Sequence, residues 1–306
     1  MIKKIRISVD QGNSNYKTPN FVFPTGLTIM DKKPIKGTDY LYYKGKYYTH
    51  SEKRIKYARD KTEDFRFFVL TLFAIAKELE RTGQIQEEDV VQLVLCLGLP
   101  PTHYKELHKK YEEFFESYKD VVEFIYNDKT YHICFQETKT FMQDYAAMVT
   151  IINEIEHIPD AVGIDIGGFT VDYLVMESGV PNPDEKDSLE GGIITLYNDI
   201  ISAVNSEYDL LLKEKGINAI IAGKTEYYDD AINQFVLEKV QIFVTEMMNG
   251  LREKGIDLKS SYAIFIGGGS LLLKEYLLKN ERLNRYLFIE DIKANAVGYN
   301  ILYRFS

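Results

Sequence analysis

The chain has 306 residues, of which 45% are hydrophobic and 27% charged, so it can bury the cores of two compact domains without staples. Its formal net charge of −9 lacks the basic footprint that direct nucleic-acid binding requires, and no run approaches the roughly 18 apolar residues that mark a membrane span. Two cysteines, Cys96 and Cys134, make neither a disulfide framework nor a metal-ligand set and fit a reducing cytoplasm.

At the start of the chain Ile5, Ile7 and Val9 alternate with Arg6, Ser8 and Asp10, the period of a half-buried strand and too polar for an export signal. Gln11–Asn15 is a polar turn with one glycine, and Tyr16–Phe23 resumes extended character, which predicts a hairpin. Aromatics on both sides of Lys44-Gly45 predict a second hairpin over Tyr40–Tyr48. Phe65, Phe68, Val69, Leu72, Phe73, Ala76 and Leu79 fall at helical spacing, with Glu63 and Asp64 opening the helix and Gly83 stopping it. Val90–Leu99 reads as a buried strand ended by Pro100-Pro101, and Thr102 is placed to cap a helix to about Tyr118. Lys105, Lys109 and Lys110 on that helix are the best candidates for a local basic patch, but an ordinary solvated face carries the same residues. Strands are expected over Val121–Tyr126 and Tyr131–Phe135. A helix carrying Phe141, Tyr145, Met148, Val149, Ile152 and Ile155 then runs to Pro159.

The second half begins with a strand over Ala161–Ile166, a glycine turn and a returning strand, Val171–Met176. Ser178–Ser188 is polar, contains Pro181 and Pro183, and reads as a loop. Gly191-Gly192 precedes a helix around Asp199–Lys215, and Ile217–Ala222 reads as a short strand. The longest helix is expected over Asp229–Lys254, with Ile232, Phe235, Val236, Val240, Phe243, Met247 and Leu251 as its apolar stripe. Tyr262–Ile266 predicts a strand, Gly267-Gly268-Gly269 a turn, and Ser270–Leu278 a helix. A strand near Tyr286–Ile289 and a helix near Ala294–Tyr303 follow. A strand ending in aspartate, a glycine turn and a returning strand occur twice, at Asp10 and at Asp165, which suggests two related lobes.

Three segments carry groups suited to a nucleotide. In Asp10–Lys17, Gly12 permits a tight turn whose N–H groups can face a phosphate, while Asn13, Ser14, Asn15 and Lys17 add donors and a positive charge. An aspartate at a strand end can hold the water shell of Mg²⁺. Asp165-Ile166-Gly167-Gly168-Phe169-Thr170 repeats the theme, with paired glycines and a hydroxyl. Taken singly, either segment is also what an ordinary polar turn looks like. Gly267, Gly268, Gly269 and Ser270 form the third. Three consecutive glycines cost backbone entropy, for which close approach by a ligand or another backbone compensates. Neither a G-x-G-x-x-G nor a Walker A pattern occurs. The five histidines are scattered and make no ligand set.

Together, and in this order, the three segments resemble the phosphate 1, phosphate 2 and adenosine motifs of the actin-like ATPase superfamily, over nearly the whole chain. Within it, Asp165-Ile166-Gly167-Gly168 with Thr170 and Asp172 is most similar to the ParM-type plasmid-segregation actins. Gly98-Leu99-Pro100, the Lys44-Gly45 hairpin and Ala294–Tyr299 add to that likeness. The resemblance implies an α/β fold of two lobes, each a β-sheet flanked by helices in a ribonuclease H-like duplication. Lobe one spans 1–159, with an outer part near 32–83, plus a C-terminal helix over 291–306. Lobe two spans 160–290, with an outer part near 205–254. It also implies ATP clamped between the lobes with Mg²⁺ held near Asp10 and Asp165, with GTP possible in its place. The activity implied is a nucleotide-dependent, filament-forming ATPase. Its partners would be copies of itself and a DNA-binding centromere adaptor, in segregation of plasmid or similar DNA. The residue that orients the attacking water falls at Gln143 by the same resemblance, with Glu137 and Asp144 as alternatives, and Asp165 completes the catalytic set. A small-molecule kinase or a monomeric nucleotide switch on the same fold is the competing expectation. Phosphate release without any acceptor would separate the first of these from a filament ATPase.

Overall fold

The computed structural model describes residues 1–306. Contacts divide the chain into two units, Met1–Thr150 with Lys293–Ser306, and Ile151–Ile292.

In the first unit, β1 (Ile2–Gln11), β2 (Asn15–Lys17) and β3 (Val22–Pro24) run antiparallel in succession. β4 (Gly26–Met30), β5 (Tyr40–Tyr43) and β6 (Lys46–Arg54) follow. Lys44 and Gly45 join the last two with φ of 48° and 78°, the two positive values that a tight hairpin matched to strand twist requires. A single 3-10 turn, Lys61–Glu63, leads into α1 (Phe65–Thr82). Asp64 caps α1 by accepting from the Arg66 N–H at 3.0 Å, and Gly83 ends it with φ of 63°. Every residue of α1 from Phe67 to Ala76 is buried, so protein covers this helix on all sides rather than along one stripe. β7 (Val90–Leu99) pairs parallel with β1, α2 (Pro101–Glu116) follows, and β8 (Val122–Tyr126) leads to β9 (Lys129–Met142), parallel to β7. α3 (Tyr145–Val149) ends this stretch. The nine strands form one sheet in the order β3-β2-β1-β7-β9-β8-β5-β6-β4.

The second unit opens with α4 (Ile152–Ile155), then β10 (Ala161–Ile166), β11 (Thr170–Glu177) and β12 (Val180–Glu190). Three helices follow, α5 (Ile193–Tyr208), α6 (Glu214–Ile221) and α7 (Asp230–Glu253). β13 (Tyr262–Ile266), α8 (Gly267–Leu272), α9 (Lys274–Leu278) and β14 (Arg285–Phe288) complete it. Its sheet has the order β12-β11-β10-β13-β14. The last helix, α10 (Ala294–Leu302), belongs to the first unit.

The two sheets share a five-strand pattern. β3-β2-β1-β7-β9 and β12-β11-β10-β13-β14 each set an aspartate-ended central strand between an antiparallel hairpin and two parallel strands. This is the α/β fold of two sheet-and-helix halves expected from the sequence. α10 packs on the first unit through two glycines. A Cβ at Gly98 would overlap the Tyr299 ring, and one at Gly298 would overlap the Ala146 carbonyl. Part of the likeness carried by Gly98-Leu99-Pro100 and Ala294–Tyr299 is therefore a packing requirement.

Several elements depart from expectation. Thr102 does not cap α2. Pro100 stands at the cap and Pro101 opens the helix, a position where its missing N–H costs nothing. β9 extends to Met142, so Phe141 lies on a strand and only the short α3 and α4 follow. Ser178–Ser188, expected as loop, belongs to β12 from Val180 onward. Two prolines fit there because β12 is the edge of its sheet. Ile217–Ala222 is helical, since a short apolar run does not separate strand from helix. Gly267–Gly269 is the first turn of α8 rather than a turn before it. No helix is long and apolar enough to cross a membrane.

Candidate functional site

The first hairpin grows from β1. The last five residues of β1, Ile7 to Gln11, are buried on both faces, and Asp10, next to the strand's end, is 2% exposed. The Asp10 carboxylate accepts from Lys17 Nζ at 3.0 Å and from Gln143 Nε2 at 3.0 Å. Lys17 reaches it because the two residues are register partners across β1 and β2. Gly12, Asn13 and Ser14 form the turn, and Asn15 begins β2. A Cβ at Gly12 would lie 2.5 Å from the Asn15 carbonyl oxygen, so glycine is needed for the turn to close. Thr25 braces the turn from β3's far end: its hydroxyl donates to the Gly12 carbonyl at 2.6 Å and its N–H to the Ser14 carbonyl at 3.1 Å.

The second hairpin repeats this geometry. Asp165 lies near the end of β10, and its register partner on β11 is Asp172. A Cβ at Gly167 would lie 3.0 Å from the Thr170 carbonyl oxygen, to which the Gly167 N–H donates at 2.9 Å. Here the brace is a helix. The N–H groups of Ile193 and Ile194, the first residues of α5, donate to the carbonyls of Gly167 and Gly168 at 3.0 and 2.8 Å. Gly192 permits this approach, since its Cβ would sit 2.6 Å from the Gly167 oxygen. Phe169 accepts from the Gly191 N–H at 3.0 Å. The Thr170 hydroxyl bonds Asp172 Oδ2 at 2.9 Å, and burial pushes the Asp172 carboxyl above the usual carboxylate range.

The three consecutive glycines have different reasons. Gly267 has φ of 83°, and a Cβ there would strike Asp165 Oδ1. One at Gly269 would strike the Ile166 carbonyl. Gly268 alone is uncrowded, its nearest neighbour being Ile292 Cγ2 at 3.9 Å. Ser270 is fully buried and donates to the Gly267 carbonyl at 2.7 Å.

The three residues considered for water orientation lie in different settings. Gln143 follows β9 directly, and its N–H donates to the Leu99 carbonyl at 2.9 Å, which fixes its side chain against Asp10. Glu137 accepts from the Tyr303 hydroxyl at 2.8 Å, on the face of β9 where α10 ends. Asp144 is buried, with φ of 60°, and its N–H donates to Asn295 Oδ1 at 3.1 Å.

Taken one hairpin at a time, the residues fit an outer-shell role toward a hydrated magnesium ion. No group of three histidine, cysteine, aspartate or glutamate side chains is placed to strip and hold a bare ion. Each hairpin instead presents one strand-end carboxylate, which suits an ion that keeps most of its waters.

Lys61 was not among the residues expected here. Its ammonium donates to the Gln11 carbonyl within the first hairpin. Gln11 in turn donates from Nε2 to the Thr71 hydroxyl at 2.8 Å, and Thr71 donates to the Phe67 carbonyl at 2.9 Å, which ties the hairpin to α1. Fifty residues separate Lys61 from Gln11, and no local motif announces the contact.

Residues 8–145 match a family model described as the N-terminal domain of actin-like proteins. Residues 163–279 match one described as the C-terminal domain of archaeal MreB-like actin homologues. No curated protein matches the chain by sequence. Among solved structures, the archaeal actin homolog Ta0583 superposes with a TM-score of 0.75 at 17% identity, covering 99% of this chain and 100% of that one. A ParM protein from a 15-stranded Clostridium botulinum filament gives 0.75 at 18%, covering 99% and 100%. The actin-like protein Alp7A gives 0.73 at 16%, covering 100% and 97%. The likeness is spread evenly over these proteins and singles out no ParM-type relative, a broader result than the sequence motifs implied.

Proposed function

We propose that the chain is an actin-like, nucleotide-binding ATPase that assembles into filaments, with ATP or GTP as its nucleotide, a reading supported by the two actin-family models that match residues 8–145 and 163–279. The observation that carries this reading is the duplicated hairpin: two strand-end carboxylates, each followed by a glycine turn that admits no side chain. The filament function draws on the structural neighbours, one of which is a ParM filament. Its partners are further copies of the chain and a DNA-binding adaptor at a centromere-like site, with plasmid or similar DNA as cargo.

In this reading Gly12–Asn15 with Lys17, and Gly167–Thr170, bind the phosphates through turn N–H groups, hydroxyls and the lysine charge. Gly267–Ser270 supports the adenosine, with Gly268 as its open face. Asp10 and Asp165 hold the water shell of magnesium, which when bound neutralises phosphate charge. Gln143 orients the attacking water. Its Nε2 is committed to Asp10, so its carbonyl Oε1 is the free acceptor for a water O–H. A neutral amide cannot take the proton, so Gln143 positions rather than deprotonates.

The test pairs nucleotide binding with phosphate release. Wild type should bind Mg·ATP and release phosphate with no added acceptor. Gln143→Ala should bind within about threefold of wild type and release phosphate roughly 100-fold more slowly. A Gln143→Ala rate equal to wild type would remove that residue from the mechanism, and a wild type that binds no nucleotide would overturn the reading itself.

A further inference from the structure

Lys61 sits at the entrance to α1, in the 3-10 turn that Asp60 caps by accepting from the Thr62 N–H at 2.9 Å. The side chain is half-buried. It donates one hydrogen bond to the Gln11 carbonyl and lies 5.6 Å from the centre of the Phe67 ring. No carboxylate pairs with it. Asp10, which acts on it through space, is engaged by Lys17 and Gln143. Beside it runs a partly open crevice lined by Gln11, Thr62, Phe67, Phe68 and Tyr111.

A buried charge with a carbonyl and a ring as its partners is poorly compensated. Burial accordingly pushes the Lys61 ammonium down to about 8, with Asp10 pulling the other way and Lys17 adding to the fall. An ammonium has three donors, and Gln11 uses one. The two that remain belong to a cation that bonds the last residue of β1, next to the Gly12–Ser14 turn. A residue serving only as a staple between the 3-10 turn and β1 would need no charge, since a neutral amide donor would serve at lower desolvation cost.

We propose that Lys61 is a second phosphate ligand of the β1–β2 turn, supplying from the start of α1 a positive charge that Lys17, paired with Asp10, does not supply alone. This rests on the nucleotide-binding reading above. It places a nucleotide contact on the turn that opens α1, so the phosphates bear on that helix as well as on the hairpin.

The test compares Lys61→Gln, which keeps a donor without charge, and Lys61→Arg, which keeps the charge. Mg·ATP affinity is measured by fluorescence titration, and thermal unfolding is recorded without nucleotide. Loss of one charge-assisted phosphate contact predicts about 10- to 100-fold weaker ATP binding for Lys61→Gln. Its unfolding temperature without nucleotide should equal or exceed that of wild type, and Lys61→Arg should bind within about fivefold of wild type. Wild-type affinity in Lys61→Gln would overturn the proposal. So would weaker binding accompanied by a lower unfolding temperature, with Arg failing to restore affinity, since that is the signature of a staple. A wild type that binds no ATP would bring down the broader reading first, before any variant is made.

Discussion

The hairpins at Asp10 and Asp165 share one backbone plan but oppose each other in charge. In each, glycine stands two residues after the aspartate and its missing Cβ leaves room for a carbonyl oxygen, that of Asn15 in one and Thr170 in the other. In each, the aspartate's cross-strand partner falls at the same offset. That partner is Lys17 in the first unit and Asp172 in the second. The first hairpin therefore neutralises its own carboxylate with an ion pair. The second sets two carboxyls across from each other, and burial holds one of them, Asp172, toward its neutral form. A duplicated fold thus keeps the geometry that makes a phosphate turn while its electrostatics diverge. The braces diverge too, with Thr25 behind one turn and the start of α5 behind the other.

The largest effect expected from breaking this contrast is at Lys17. Lys17→Met leaves Asp10, 2% exposed, without its ion-pair partner, and should cost roughly 3 kcal/mol in urea unfolding. Adding Asp10→Asn to Lys17→Met should recover most of that loss without restoring nucleotide binding. A single variant as stable as wild type would mean that the pair is not what holds the first hairpin.

A middle-sized effect separates the two turns sterically. Gly12→Ala forces a Cβ to 2.5 Å from a backbone oxygen, whereas Gly167→Ala brings it to 3.0 Å. Neither glycine has a positive φ, so crowding alone is at issue. The first substitution should cost about 2 kcal/mol and the second about 1 kcal/mol. The reverse order in thermal unfolding would show that crowding at the carbonyl oxygen does not set the cost.

The smallest effect is at Asp172. Its carboxyl is raised by burial, so its contribution to stability is full below the unfolded value of about 4 and is lost as pH rises through the folded value. Asp172→Asn, neutral at every pH, should therefore gain on wild type in urea unfolding as pH is raised from 4 to 8. A constant difference across that range would deny the burial of charge there.

These contrasts were only partly legible in the sequence. The Asp-Gly turns and the strands before them stood out because alternation and glycine placement are local signals. The Tyr40–Tyr48 hairpin and α1 were visible for the same reason. β12 was not, because its prolines suggest a loop until its edge position is known. The end of β9 was hidden because Phe141 fits a helical spacing as well as a strand. Family resemblance alone pointed to Gln143, whose contact with Asp10 spans 133 residues. Lys61 carried no signal, since a lysine at a helix entrance ordinarily belongs to the surface. The cross-strand partners Lys17 and Asp172 lay in plain view, yet their equivalence needed the register.

The most direct test of the account is sedimentation with simultaneous phosphate release, using wild type and Asp165→Ala with Mg·ATP, Mg·GTP, Mg·ADP and no nucleotide. The account predicts that wild type pellets with a nucleoside triphosphate, releases phosphate afterwards, and loses both when magnesium is chelated. It predicts that Asp165→Ala does neither while remaining folded. Pelleting that ignores nucleotide, or phosphate release that persists in Asp165→Ala, would contradict it.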